Sequence, residues 1–88
     1  MRIKKGFVMQ EIGGQHVAVA TGEAAKGFNG IVKLNATGAR VWRGIEEGLT
    51  PEEIAMRLVD EFAVDEVQAK SDVNALCVQL VLAGIFEE

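Results

Sequence analysis

The chain has 88 residues, 49% hydrophobic and 25% charged, with a net charge of −4, which is room for one folded domain over residues 1–88 and not for two. A single cysteine, Cys77, excludes an internal disulfide and a cysteine-built metal site. No apolar run reaches the ~18 residues of a membrane span, and none of signal-peptide length follows Met1-Arg2-Ile3-Lys4-Lys5-Gly6, so a cytoplasmic protein without membrane contact is expected.

In chain order, Phe7–Ile12 reads as a strand, Gly13-Gly14 as a tight turn and Gln15–Ala20 as a second strand, because the favoured two-residue hairpin turn needs positive φ at both central residues. In the second strand Val17 and Val19 share one face; His16, Ala18 and Ala20 share the other. Thr21–Gly30 reads as a loop of small and polar residues, with Phe28 as its only large apolar side chain, expected to tuck against the sheet. Ile31–Leu34 reads as a short third strand.

Asn35 is a good N-cap for a first helix from Ala36, with Val41, Trp42 and Ile45 on its apolar stripe and Gly48 ending it. Thr50-Pro51-Glu52-Glu53 is a capping box with proline at the first helical position, the sharpest local signal in the chain. Ile54, Leu58 and Phe62, with Ala55 and Val59, form the buried face of that second helix. Asp65 caps a third helix, predicted from about Glu66 to Ala83 and stopped by Gly84. Val73, Leu76, Cys77 and Leu80 are its core stripe, yet Val78, Val81 and Leu82 lie around the other side. An apolar surface nearly all round implies full burial or a covering partner. Three strands followed by three helices argue for an α+β fold with one small three-stranded antiparallel sheet.

Charge is divided unevenly: residues 1–45 hold seven Lys/Arg against two Asp/Glu, and residues 46–88 hold two against eleven. Two solvated faces that attract each other account for this most simply.

Catalytic chemistry is not in evidence. His16 lies in a strand with no neighbouring ligand for a metal, and Cys77 sits on a core stripe as a small hydrophobe. Glu46-Glu47 and Glu52-Glu53 stand at helix ends, where caps and the helix dipole explain the latter pair. The loop at 21–30 has no phosphate-binding pattern. The expectation is a chain that is not an enzyme, carries no cofactor and has no catalytic residues.

Several segments together resemble the PqqD-like family. They are the strand–double-glycine–strand opening, the run Leu34-Asn35-Ala36-Thr37-Gly38-Ala39 with Trp42 a turn on, and Thr50-Pro51-Glu52-Glu53-Ile54. Phe62-Ala63-Val64-Asp65, Asp72-Val73 through Leu80, and Ala83-Gly84-Ile85 complete the similarity, which spans Phe7 to Phe86. The resemblance implies a winged-helix-like domain that binds the leader segment of a ribosomally made precursor peptide. It also implies presentation of that peptide to a modifying enzyme, commonly a radical S-adenosylmethionine enzyme; the name-giving member serves pyrroloquinoline quinone biosynthesis.

An edge strand offers unpaired N–H and C=O groups that a peptide satisfies as an added strand. With the family's groove carried over, the floor is Ile31, Val32, Lys33 and Leu34, and the wall is Asn74, Val78, Val81 and Leu82. Leu34 is expected to face the core and leave Lys33 open to an acidic side chain of the leader; the competing reading is an edge lysine that only blocks aggregation. Two other functions remain in view. A structural subunit docking on an enzyme through the third helix uses the same apolar surface. A nucleic-acid-binding winged helix needs several phosphate-contacting cations on the reading helix, which here carries only Lys70. A homodimer by strand exchange is open to a long loop beside a short hairpin.

Overall fold

Gly13 at φ +58° and Gly14 at φ +83° make the tight turn that the two glycines predict. It joins β2 (Phe7–Ile12) to β3 (Gln15–Ala20). The computed structural model describes residues 2–26 and 31–87, so the expectation for Phe28 lies outside the described residues. Two short elements complete the strand set: β1 (Arg2–Ile3) before the hairpin and β5 (Phe86–Glu87) near the C-terminus. The predicted third strand, Ile31–Leu34, is β4. β2, β3 and β4 form an antiparallel sheet in that order, and β1 pairs with β5 in a separate two-stranded ribbon.

Between β3 and β4 the predicted loop holds a 3₁₀ turn at Gly22–Lys26. Thr21 fastens its start, donating both its backbone N–H and its hydroxyl to the Gly6 carbonyl at 2.6 and 2.8 Å.

The helices are α1 (Ala36–Glu46), α2 (Pro51–Phe62) and α3 (Glu66–Leu82). Their predicted caps form. Asn35 Oδ1 accepts from the Gly38 N–H at 2.7 Å, Asp65 Oδ1 accepts from the Gln68 N–H at 2.7 Å, and Thr50 and Glu53 complete a reciprocal box. α1 and α2 approach closely at Gly44, where a Cβ would stand 2.7 Å from Ile54 Cγ1. Trp42, Ile54, Leu58, Leu80, Ile85 and Val41 are fully buried and tie the three helices to Ala18, Val32 and Leu34 of the sheet. No helix among the described residues is long and apolar enough to cross a membrane.

The β1–β5 ribbon is the element that sequence reading misses. Two-residue strands are too short to show alternation. Their pairing depends on Ile3 and Phe86 packing against a core that only the finished fold creates.

Candidate functional site

β4 pairs with β3 on one side only, so its other edge is open among the described residues. The register shows which backbone groups that edge offers. In a two-residue hairpin the closing pair, Ile12 and Gln15, exchanges hydrogen bonds, and bonded and non-bonded pairs alternate from there. His16 and Ala18 therefore turn their N–H and C=O groups toward β4, where they pair with Leu34 and Val32. Ile31 and Lys33, opposite Val19 and Val17, turn theirs to the open edge. Side chains alternate too: Val32 and Leu34 are buried in the core, whereas Ile31 and Lys33 are exposed on the outer face of the sheet.

Beside this edge lies a cleft of about 310 Å³ lined by Lys33, Leu34, Asn35, Thr37, Gly38, Asp72, Ala75, Leu76 and Gln79. Its floor is Leu34. Its far wall is one flank of α3, where Asp72, Leu76 and Gln79 recur at helical spacing with Ala75 beside them. The N-terminus of α1 closes one end, with the Thr37 hydroxyl donating to Asn35 Oδ1 at 3.0 Å. Asp72 is held by Gln68, whose Nε2 donates to Oδ1 at 2.8 Å. The cleft thus joins an apolar floor to a carboxylate on the helix side, and Lys33 borders it at the strand edge while its side chain alternates onto the outer face.

The opposite flank of α3 borders a second groove of about 490 Å³, lined by Pro51, Glu52, Lys70, Val73, Asn74, Cys77 and Phe86. Cys77 is half-buried there, and burial pushes its thiol pKa up, away from the reactive thiolate. The strand that borders this groove, through Phe86, is the two-residue β5, which pairs with β1 on one side.

The family profile described as "Coenzyme PQQ synthesis protein D (PqqD)" matches residues 7–85. The chain belongs to the PqqD family. Two solved structures share the fold of this PqqD-family chain. One is described as TbiB1 in complex with the TbiA(beta) leader peptide, 26% identical, with a TM-score of 0.78, covering 99% of this chain and 95% of that one. The other, a lasso peptide synthetase B1 complexed with the leader peptide, is 21% identical, with a TM-score of 0.79, covering 96% and 93%. No curated protein sequence matches.

Within the PqqD fold, Lys33 and Leu34 line the cleft, and Ile31 and Val32 continue the same strand. The helix residues are distributed differently from expectation. Asn74 lines the second groove, on the far flank of α3. Val78, Val81 and Leu82 are exposed and line neither groove. The residues facing β4 are instead Asp72, Ala75, Leu76 and Gln79. The sequence signal for them was the pair of flanks beside the buried stripe Ala69, Val73, Leu76 and Leu80. Which flank turns to the sheet is invisible until the helices pack.

Proposed function

We propose that this PqqD-family chain is a non-catalytic peptide chaperone. It receives the leader segment of a ribosomally made precursor peptide as an added strand on β4 and presents it to a modifying enzyme, with a radical S-adenosylmethionine enzyme as the expected partner. The observation that carries the reading is the open edge of β4 standing across a cleft from α3. The leader peptides named with the two structural neighbours support the same ligand class. Ile31, Val32, Lys33 and Leu34 form the strand side of the site. On the helix side Asp72, Ala75, Leu76 and Gln79 form the wall, and Val78 and Leu82, about one and two turns beyond Ala75, extend it toward solvent.

The test is a titration of isotope-labelled protein with leader peptides of precursor genes encoded beside it. Strand addition slows exchange of the Ile31 and Lys33 amides, whose partners the peptide supplies, and leaves Val32 and Leu34, already bonded to β3, nearly unchanged. If no such peptide changes the exchange of Ile31 and Lys33, peptide capture on β4 is refuted. The exposed Val78, Val81 and Leu82 favour a second reading, docking of α3 on an enzyme; in that case an enzyme shifts α3 and leaves the amides of Ile31 and Lys33 exchanging as before.

A further inference from the structure

The two faces of β4 differ in charge, and an added strand alternates between them. We infer that the captured segment carries an acidic residue flanked on both sides by apolar ones, with the acid over Lys33 on the outer face and its neighbours turned into the cleft. The inference rests on strand addition at β4 and deepens it to a class of peptide.

In an antiparallel ligand the residues opposite Ile31 and Lys33 share the backbone bonds of the open edge, and in either direction they place their side chains on the outer face. Those opposite Val32 and Leu34 point to the helix side, over Leu34, Ala75 and Leu76. On the outer face of β2, β3 and β4 stand Val8, Gln10, Ile12, Gln15, Val17, Val19, Ile31 and Lys33, an order that follows from the register. Lys33 is the only charge in that set. It has no carboxylate in ion-pair range among the described residues, and its neighbours across and along the sheet are apolar. An acid there meets this cation in an exposed pair of modest strength. The same acid one position away would turn toward Asp72, whose carboxylate repels it. The two charges therefore select register in opposite senses. Ile31, half exposed at 54%, asks for an apolar residue opposite itself. An antiparallel ligand then reads, from its N-terminus, apolar, acidic, apolar, apolar; a parallel ligand reads the same pattern reversed.

The experiment is selection of a phage-displayed library of random linear 12-residue peptides against the full chain and against its Lys33→Glu variant. Lys33 is exposed, so the variant folds, and a circular-dichroism melt verifies this. Selected peptides are then synthesised and added to labelled protein. The expected result is enrichment of an acid between two apolar residues, slowed exchange at Ile31 and Lys33, and replacement of the acid by Lys or Arg in the Lys33→Glu selection. Changing the acid to lysine in one selected peptide is expected to weaken binding to the native chain about fivefold and to restore it against Lys33→Glu. If peptides protect Ile31 and Lys33 but show no acid and respond equally to both chains, Lys33 is an edge guard only; the inference is overturned while strand addition stands. If selected peptides leave the Ile31 and Lys33 amides unprotected, strand addition fails and takes the inference with it.

Discussion

The two flanks of α3 make different offers. The flank toward α2 and β5 borders the larger groove, with Val73, Cys77 and Phe86 among its lining, and one charge of each sign in Glu52 and Lys70. The flank toward β4 borders a smaller and more polar cleft, but along it the backbone groups of Ile31 and Lys33 have no strand partner among the described residues. Apolar area supplies affinity to anything greasy, whereas unpaired N–H and C=O groups at fixed spacing admit only an extended chain. On this contrast the backbone edge, more than the amount of apolar surface, marks the proposed peptide site.

Substitutions on the two flanks break or sharpen this contrast. The largest effect is expected at Leu76, which serves both the cleft and the core. Leu76→Ala is expected to cost about 2–4 kcal/mol of stability, read from urea denaturation, because the hole cannot collapse between packed helices. Next comes binding. Ala75→Glu puts bulk and a second negative charge beside Asp72, and is expected to weaken a cleft-bound peptide at least ~tenfold with the melting curve nearly unmoved. Lys70→Glu, on the other flank, is expected to change the same affinity by less than ~twofold. Equal losses from Ala75→Glu and Lys70→Glu would erase the distinction between the flanks.

A smaller effect is expected where α2 begins, at the rim of the second groove. Thr50→Ala removes the cap and is expected to cost about 1 kcal/mol at neutral pH. Hydrogen bonds from the Thr50 backbone and then its hydroxyl hold the Glu53 carboxyl below its ordinary range. A lowered carboxylate pKa stabilises the fold above the ordinary glutamate value, and that contribution is lost as pH falls through the lowered one. The gap between Thr50→Ala and the native chain should therefore narrow in acid; a constant gap would remove Glu53 from the cap. The smallest readout is chemical. Burial raises the Cys77 thiol pKa, so alkylation by iodoacetamide near pH 8 is expected to run several-fold slower than for a free thiol such as glutathione. A rate equal to the free thiol would mean that the second groove is open to solvent at the sulfur.

Much of the fold was legible because its signals are local. Gly13-Gly14, Asn35, Thr50-Pro51-Glu52-Glu53, Asp65 and Gly84 each act within a few residues of their own position, and the strands and helices they bound lie where predicted, with α3 ending at Leu82 in place of the expected Ala83. Burial of Leu34 and exposure of Lys33 followed from alternation with period two. The helix side of the site was not legible in the same way. Asn74, Val78, Val81 and Leu82 attract notice because apolar residues on a helix surface ask for a partner, but Asp72, Ala75 and Gln79 are ordinary in composition and stand out only by where they face.

The sequence by itself determined the hairpin, the three caps, the buried stripes and, through alternation along Ile31–Leu34, which side chains the edge strand would show. Only the tertiary structure decided that β4 would be the open edge beside α3, that the Asp72–Gln79 flank would face it, and that β1 and β5 would meet. Those outcomes depend on how far a helix rotates about its own axis as it packs and on pairing between distant segments. Neither leaves a periodic trace in the chain, because the contacts that fix them join residues far apart in sequence.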